Sequence, residues 1–286
     1  MAAPGIRWSG AGARCTIRGV LTPEIMDYYR QGGERDRLAA GAGRLEFLRT
    51  WDVLTRVLPD PPAAVLDVGG ATGVYAGPLA RAGYQVHVVD PVPEHVADAA
   101  ERPGVTAVRG DARTLPVADR SVDAVLLLGP LYHLPVRAER VAAWREAARV
   151  VRPGGVVVGA TISRFASLLD GFVWDYFSDA RFRPLVERAL ADGVHRNTDA
   201  DRTWFTSAYF HHPDEPAAEV SEAGLILRRR VAVEGPLWMI GARLPEVLAD
   251  PGRTDLLLEM LRAVEDEPSL FGASSHLLTV ASAPHR

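Results

Sequence analysis

Asp67, Gly69, Gly70, Gly73 and Asp90 are the residues of this chain whose types and spacing could do chemistry. The first four lie in Val65-Leu66-Asp67-Val68-Gly69-Gly70-Ala71-Thr72-Gly73, a short apolar run feeding a glycine-rich turn. Asp90 closes the next apolar run. Glycines at such a turn let backbone approach a ligand, and a helix starting behind it points free N–H groups the same way. A carboxylate at the end of the following strand is suited to accept hydrogen bonds from ribose hydroxyls. The glycines alone would equally make a plain strand-to-helix turn; the second acid is what favours a ligand. The dinucleotide pattern G-x-G-x-x-G does not fit, since from Gly69 its later positions fall on Ala71 and Val74, and no G-x-x-x-x-G-K-[ST] phosphate loop occurs. A phosphate-poor adenosine ligand is therefore expected in preference to NAD or ATP.

Such residues need a frame, and a strand–helix rhythm supplies one from residue 64 onward. Strands are expected at Ala64–Val68, Val86–Val89, Val105–Val108, Val122–Leu128 and Val156–Ala160, with helices over 73–82, 93–101 and 138–150 between them. The nearly unbroken apolar character of 122–128 suits a central parallel strand covered on both faces. This alternation argues for an α/β fold with a doubly wound, mostly parallel sheet. Two later strands, 225–234 and Leu277–Ala281, bring the expected sheet to seven strands. From 161 to 213 the rhythm breaks into a stretch rich in aromatic residues, read as a helical cap inserted after the fifth strand. Ahead of the sheet, Leu45, Leu48, Trp51, Leu54 and Leu58 recur at helical spacing, so 43–58 is expected to be an amphipathic helix stopped by Pro59. A short helix over 22–31, with Thr22 as its cap, and a loose leader over 1–20 complete the N-terminal part. Residues 213–223 and 245–266 are also expected to be helical, the latter interrupted at Pro251-Gly252.

The 286 residues allow one large domain, or one with an insertion, and an apolar content of 48% supports a substantial core. A net charge of −4 gives no global field to recruit nucleic acid or an anionic membrane. The single cysteine, Cys15, excludes an intrachain disulfide and accords with a reducing compartment. Neither a signal-peptide core nor a membrane-length apolar run is visible, so a cytoplasmic location is expected.

Taken together, several segments resemble the class I S-adenosylmethionine-dependent methyltransferases. They are Val65–Gly73, Val89-Asp90, Gly110-Asp111-Ala112, Leu115-Pro116, Ser121–Leu128 and Val150-Val151-Arg152-Pro153-Gly154-Gly155, in family order over about 65–160. The resemblance implies S-adenosyl-L-methionine as cofactor. Asp67 and the backbone of Gly69, Gly70, Ala71 and Gly73 would hold its methionine end, and Asp90, followed by Pro91, would take the ribose diol. Asp111 would approach the adenine amino group with Ala112 beside the ring, and Gly129 would let the fourth strand end close to the sulfonium. Asp111 would equally suit a simple turn cap. The family turn usually reads D-x-G-x-G-x-G, and Ala71 replaces its middle glycine. If that position needs a positive φ, the methyl costs roughly 1–2 kcal/mol. On this resemblance, residues 1–60 form an N-terminal helical lid and 61–286 the methyltransferase domain, with 161–213 as its substrate cap.

Methyl transfer from a sulfonium is an in-line displacement, so the protein's task is to hold nucleophile, carbon and sulfur collinear in a closed site. A protic acceptor also needs a base. His133, in Gly129-Pro130-Leu131-Tyr132-His133-Leu134 after the fourth strand, is the first candidate, with Tyr132 positioning the acceptor. His211, in Tyr209-Phe210-His211-His212-Pro213, is the second, on a segment expected to be a mobile loop joining cap to helix. Each histidine has a plain alternative as a turn or core residue. Arg164, His195 and Arg196 are weaker contacts for an acidic acceptor, and Tyr28, Tyr29 and Arg49 for a lid. The cap aromatics could stack on a planar acceptor or simply bury the cap's own core. No metal-binding pattern is present, and no metal is expected. The expected reaction is methyl transfer to an oxygen or nitrogen of a small organic molecule. An RNA or protein methyltransferase, or a noncatalytic S-adenosylmethionine-binding partner protein, are the alternatives. Nucleic acid and membrane are not expected partners, while self-association through the N-terminal helices is compatible with the composition.

Overall fold

Short β-branched runs between glycine- and proline-rich turns become the strands of one sheet. In the computed structural model these are β1 (Ala64–Val68), β2 (Gln85–Asp90), β3 (Val105–Arg109), β4 (Val122–Leu127) and β5 (Val151–Ser163). The structure describes Ile6, Trp8, Ile25 and residues 37–197 and 204–285. Apart from Ile6, Trp8 and Ile25, the expected leader and the helix over 22–31, with Cys15, Tyr28 and Tyr29, lie outside the described residues. β1 pairs in parallel with β2 and β4, β2 with β3, and β4 with β5, giving the order β3-β2-β1-β4-β5. All five residues of β1 are buried, as a strand covered on both faces requires.

Helices pack along the sheet: α1 (Gly41–Val57), α2 (Ala76–Arg81), α3 (Pro93–Ala100) and α4 (Arg137–Val150). Trp144 of α4 is fully buried over β5, where a Cβ on Gly159 would lie 2.3 Å from its ring. The glycine is what lets the indole come this close to the strand. The last strand, β9 (His276–Ser282), runs antiparallel to β5 from Val156 to Ile162, and β8 (Ile226–Ala232) pairs antiparallel on its far side.

The expected α/β class and mostly parallel sheet are present, but among the described residues the sheet has nine strands where seven were expected. Both additions fall inside the stretch read as a purely helical cap. That stretch does hold α5 (Ala166–Val173) and α6 (Phe182–Asp192), then a hairpin of β6 (Val194–His195) and β7 (Ala208–His211). β7 is not a mobile loop: Phe210 and His211 pair in parallel with Ile162 and Ser163 of β5. The reason is geometric. β4 stops pairing at Leu127, opposite Gly159, while β5 runs on to Ser163, and β9 already holds its other edge. β7 fills the edge that β4 leaves when the chain turns off at Gly129-Pro130. After β7 come α7 (Glu215–Glu222), α8 (Leu244–Ala249) and α9 (Pro251–Val264).

Arg49 is a core ion and not a lid residue. It is fully buried, donating to the Val233 carbonyl at 2.9 Å and pairing with Asp52 at 2.6 Å and Glu265 at 2.7 Å. Arg56 of α1 also reaches Glu265, at 2.7 Å, so α1 is bolted to the end of α9.

Candidate active site

At the carboxyl edge of β1, β2 and β4, where open α/β sheets bind ligands, lies a cavity of about 340 Å³. Its walls include Asp67, Gly69, Gly70, Ala71, Asp90, Pro91, Asp111, Ala112 and Gly129, together with Tyr132 and His133. The structure thus brings together nearly all the site residues expected from sequence. Gly73 belongs to the same turn but is not part of the wall; its N–H donates to the Gly70 carbonyl at 2.9 Å.

The turn is shaped by three positive φ angles: 68° at Gly69, 47° at Ala71 and 76° at Gly73. Ala71 therefore occupies the left-handed conformation, and the roughly 1–2 kcal/mol cost of its methyl is incurred. Its N–H donates to Asp90 Oδ2 at 3.0 Å, which anchors the residue where it sits. Gly70 is needed for a different reason: a Cβ there would lie 2.5 Å from Asp67 Oδ2. At Gly129 a Cβ would lie 2.7 Å from the Gly69 carbonyl oxygen, so the end of β4 closes directly on the turn.

Asp67 is the most telling group. It is 1% exposed and neither carboxylate oxygen has a hydrogen-bond partner. Burial, with a smaller contribution from the Asp90 charge, pushes its pKa up to about 7. A buried carboxylate with nothing to bond is costly unless a ligand supplies the donor. Asp90 is better satisfied, accepting from Val92 N–H at 2.9 Å on Oδ1, with His95 Nδ1 at 3.3 Å. Asp111 accepts from Arg113 N–H at 2.8 Å and pairs with the Arg113 guanidinium at 2.7 Å, so it serves as a turn cap while also facing the cavity.

His133 is buried in the cavity wall, its ring 6.1 Å from that of Phe205 and near-parallel to it. Burial drives its pKa down to about 3, against a smaller opposing effect of the Ser207 backbone. The ring is thus neutral and a weak proton acceptor. Tyr132 donates to the Leu128 carbonyl at 3.3 Å. His211 is not brought to the cavity. On β7 it is fully buried, with Nε2 3.7 Å from Glu219 Oε2, in a cluster completed by the Arg140–Glu219 pair at 2.8 Å. Arg164 and His195 are structural as well: Arg164 bonds the Phe210 carbonyl and Glu215, and His195 lies 3.1 Å from Ser167 Oγ. Of the cap aromatics, Phe182 and Trp204 bury one another with Tyr176 and Phe177 rather than lining the cavity.

Not marked in the sequence are Arg37, Glu46 and His276, which line the same cavity together with Leu38, Tyr75, Val233 and Leu278. His276 Nδ1 is 2.7 Å from Glu234 Oε1 and 3.7 Å from Glu46 Oε2. These groups come from α1, the segment after β8 and the start of β9. No local motif links them, so only the antiparallel β8–β9 pairing could have revealed their meeting.

A family model described as a methyltransferase domain matches residues 66–159. An uncharacterised methyltransferase of Mycobacterium sp. strain JLS is 38% identical over 112 residues, covering 38% of this chain and 42% of that protein. A ubiquinone/menaquinone biosynthesis C-methyltransferase of Nitrobacter hamburgensis is 37% identical over 130 residues, covering 42% of this chain and 50% of that protein. The chain therefore spans half or less of the length of the curated relatives it matches. The crystal structure of an S-adenosylmethionine-dependent methyltransferase from Mesorhizobium loti superposes with a TM-score of 0.54 at 16% identity, over 83% of this chain and 99% of that one, a likeness of fold. Among the described residues no helix is long and apolar enough to cross a membrane.

Proposed function

From the methyltransferase-domain match over residues 66–159, we propose that the chain is a class I S-adenosylmethionine-dependent methyltransferase that transfers the cofactor's methyl group to an oxygen or nitrogen of a small organic molecule. The observation that carries this reading is Asp67: two buried carboxylate oxygens without a partner, under a turn whose Gly70 leaves no room for a Cβ. An α-ammonium group meets that need, and burial makes the charge-assisted bond strong. Asp90 keeps capacity for ribose hydroxyls beyond its own backbone contacts, and Asp111 with Ala112 faces the same cavity for the adenine. When bound, the cofactor supplies an electrophilic methyl on a sulfonium. The chain's own contribution is to hold the acceptor in line and keep water out. Leu38, Tyr75, Val233 and Leu278 add apolar lining beside Glu46 and His276 in an enclosed cavity, which favours a small molecule over a polyanion.

Calorimetric titration with S-adenosylmethionine and S-adenosylhomocysteine, beside NAD and ATP, tests the reading. Both sulfur ligands are expected to bind and the other two are not; failure of both sulfur ligands would refute it. Asp90→Ala is expected to weaken both by roughly 10- to 100-fold, the loss of hydrogen bonds to a charged group.

A further inference from the structure

We propose that His276, held by Glu234, takes the proton from an aryl hydroxyl acceptor bound in this cavity. The inference rests on the methyl-transfer reading and adds to it the base and the acceptor class. Nδ1 of His276 is fixed by Glu234 Oε1 at 2.7 Å, and Glu234 is itself held by the His276 N–H at 3.0 Å and Ser274 Oγ at 2.9 Å. With Nδ1 committed to a carboxylate, Nε2 is the nitrogen that accepts a proton. This is the arrangement in which an acid orients an imidazole for base catalysis. The ring is half-buried in the cavity wall, beside Tyr75 and Leu278.

Several charged groups face this imidazole. Glu46 on α1 is 3.7 Å away and carries Arg37 as a two-point partner; Glu234 follows β8; and the Asp170 carboxyl on α5 senses the histidine's charge. Burial alone would lower the His276 pKa, but Glu46 and Glu234 outweigh it and raise it to about 9. Phenols ionise near pH 10. Proton transfer from an aryl hydroxyl to His276 is therefore nearly balanced, whereas His133, near 3, is far too weak. The balance is simple. The hydroxyl oxygen bonds to the methyl carbon as the carbon–sulfur bond breaks, its electron pair stays on sulfur, and the hydroxyl proton passes to Nε2. The donor atoms of Glu46, Glu234 and His276 all lie within 4.8 Å of one another, a spacing a cation could use. Arg37 and the histidine already balance the two carboxylates, which favours proton handling over a metal.

The test uses the full chain with S-adenosylmethionine and two acceptors, 4-methylphenol and 4-nitrophenol, the second already ionised in mild alkali. Cofactor affinity is measured separately by calorimetry, so its failure would strike the methyl-transfer reading alone. Wild type is expected to methylate the oxygen of both, with turnover of 4-methylphenol rising with pH toward 9. His276→Gln should cut kcat for 4-methylphenol by roughly 100-fold or more while leaving KM and cofactor affinity within a few-fold. For 4-nitrophenol, which needs no base, the loss should be below tenfold. Equal losses on both phenols, no loss on either, or no methylation of either phenol by wild type would overturn the proposal. So would tight binding of Zn²⁺ or Mn²⁺ that His276→Gln abolishes.

Discussion

Asp67 shows how one side chain can report on the state of a site. Its pKa in the folded chain, about 7, stands above its ordinary 3.8, so the ligand-free protein prefers it protonated. That contribution to stability is full below the ordinary value and is lost as pH rises through about 7. An ammonium group set against it reverses the preference. Binding of S-adenosylmethionine about one pH unit below that value is therefore expected to release close to one proton, and about half a proton at the value itself, read from calorimetry in buffers of different ionisation enthalpy. Asp67→Asn should abolish the release and weaken binding by at least tenfold; an unchanged release would assign the proton elsewhere. This residue and its neighbours were legible in the sequence because their meaning is local: a carboxylate, a turn of small residues, a second carboxylate one strand later. Ala71 was legible only as a question, and its φ of 47° answers it. His276 was not legible at all, because its partners Glu46 and Glu234 are distant in sequence and meet only through α1 and the β8–β9 pairing.

At the scale of elements, helix and sheet fit each other through small residues chosen for what lies above them. Trp144 on α4 sits directly over Gly159 of β5, with 2.3 Å between the ring and the position a Cβ would take. Gly159→Ala is expected to destabilise the fold by about 1–3 kcal/mol through overpacking, measured by urea unfolding. The seven strands expected from their apolar runs are all present, because alternating strands and helices write a strong pattern. β7 escaped because four residues, Ala208 to His211, are too few to show a period. What makes them a strand is an edge of β5 left open by β4, a fact of the assembled sheet.

Across the whole molecule, α1 is tied to the end of α9 by buried charge. Arg49 joins Asp52, Glu265 and the Val233 carbonyl, while Arg56 and Arg229 also reach Glu265. Arg56 and Arg262 also pair with Asp52, so removing Arg49 leaves both carboxylates one cation short and the Val233 carbonyl without its donor. Arg49→Met is expected to cost about 2 kcal/mol, the loss of charge-assisted hydrogen bonds, while Arg56 and Arg262 keep α1 in place; a fall in unfolding midpoint measured by urea checks it. The β7 pairing has a different consequence, one of traffic. The stretch between β5 and β7 is anchored in the sheet at both ends, and Arg164 N–H bonds the His211 carbonyl at 2.8 Å where the two ends meet. Swinging both ends outward would tear strand pairing, and none of the described residues of that stretch lines the cavity. The pace at which molecules enter and leave this cavity is therefore set by other segments.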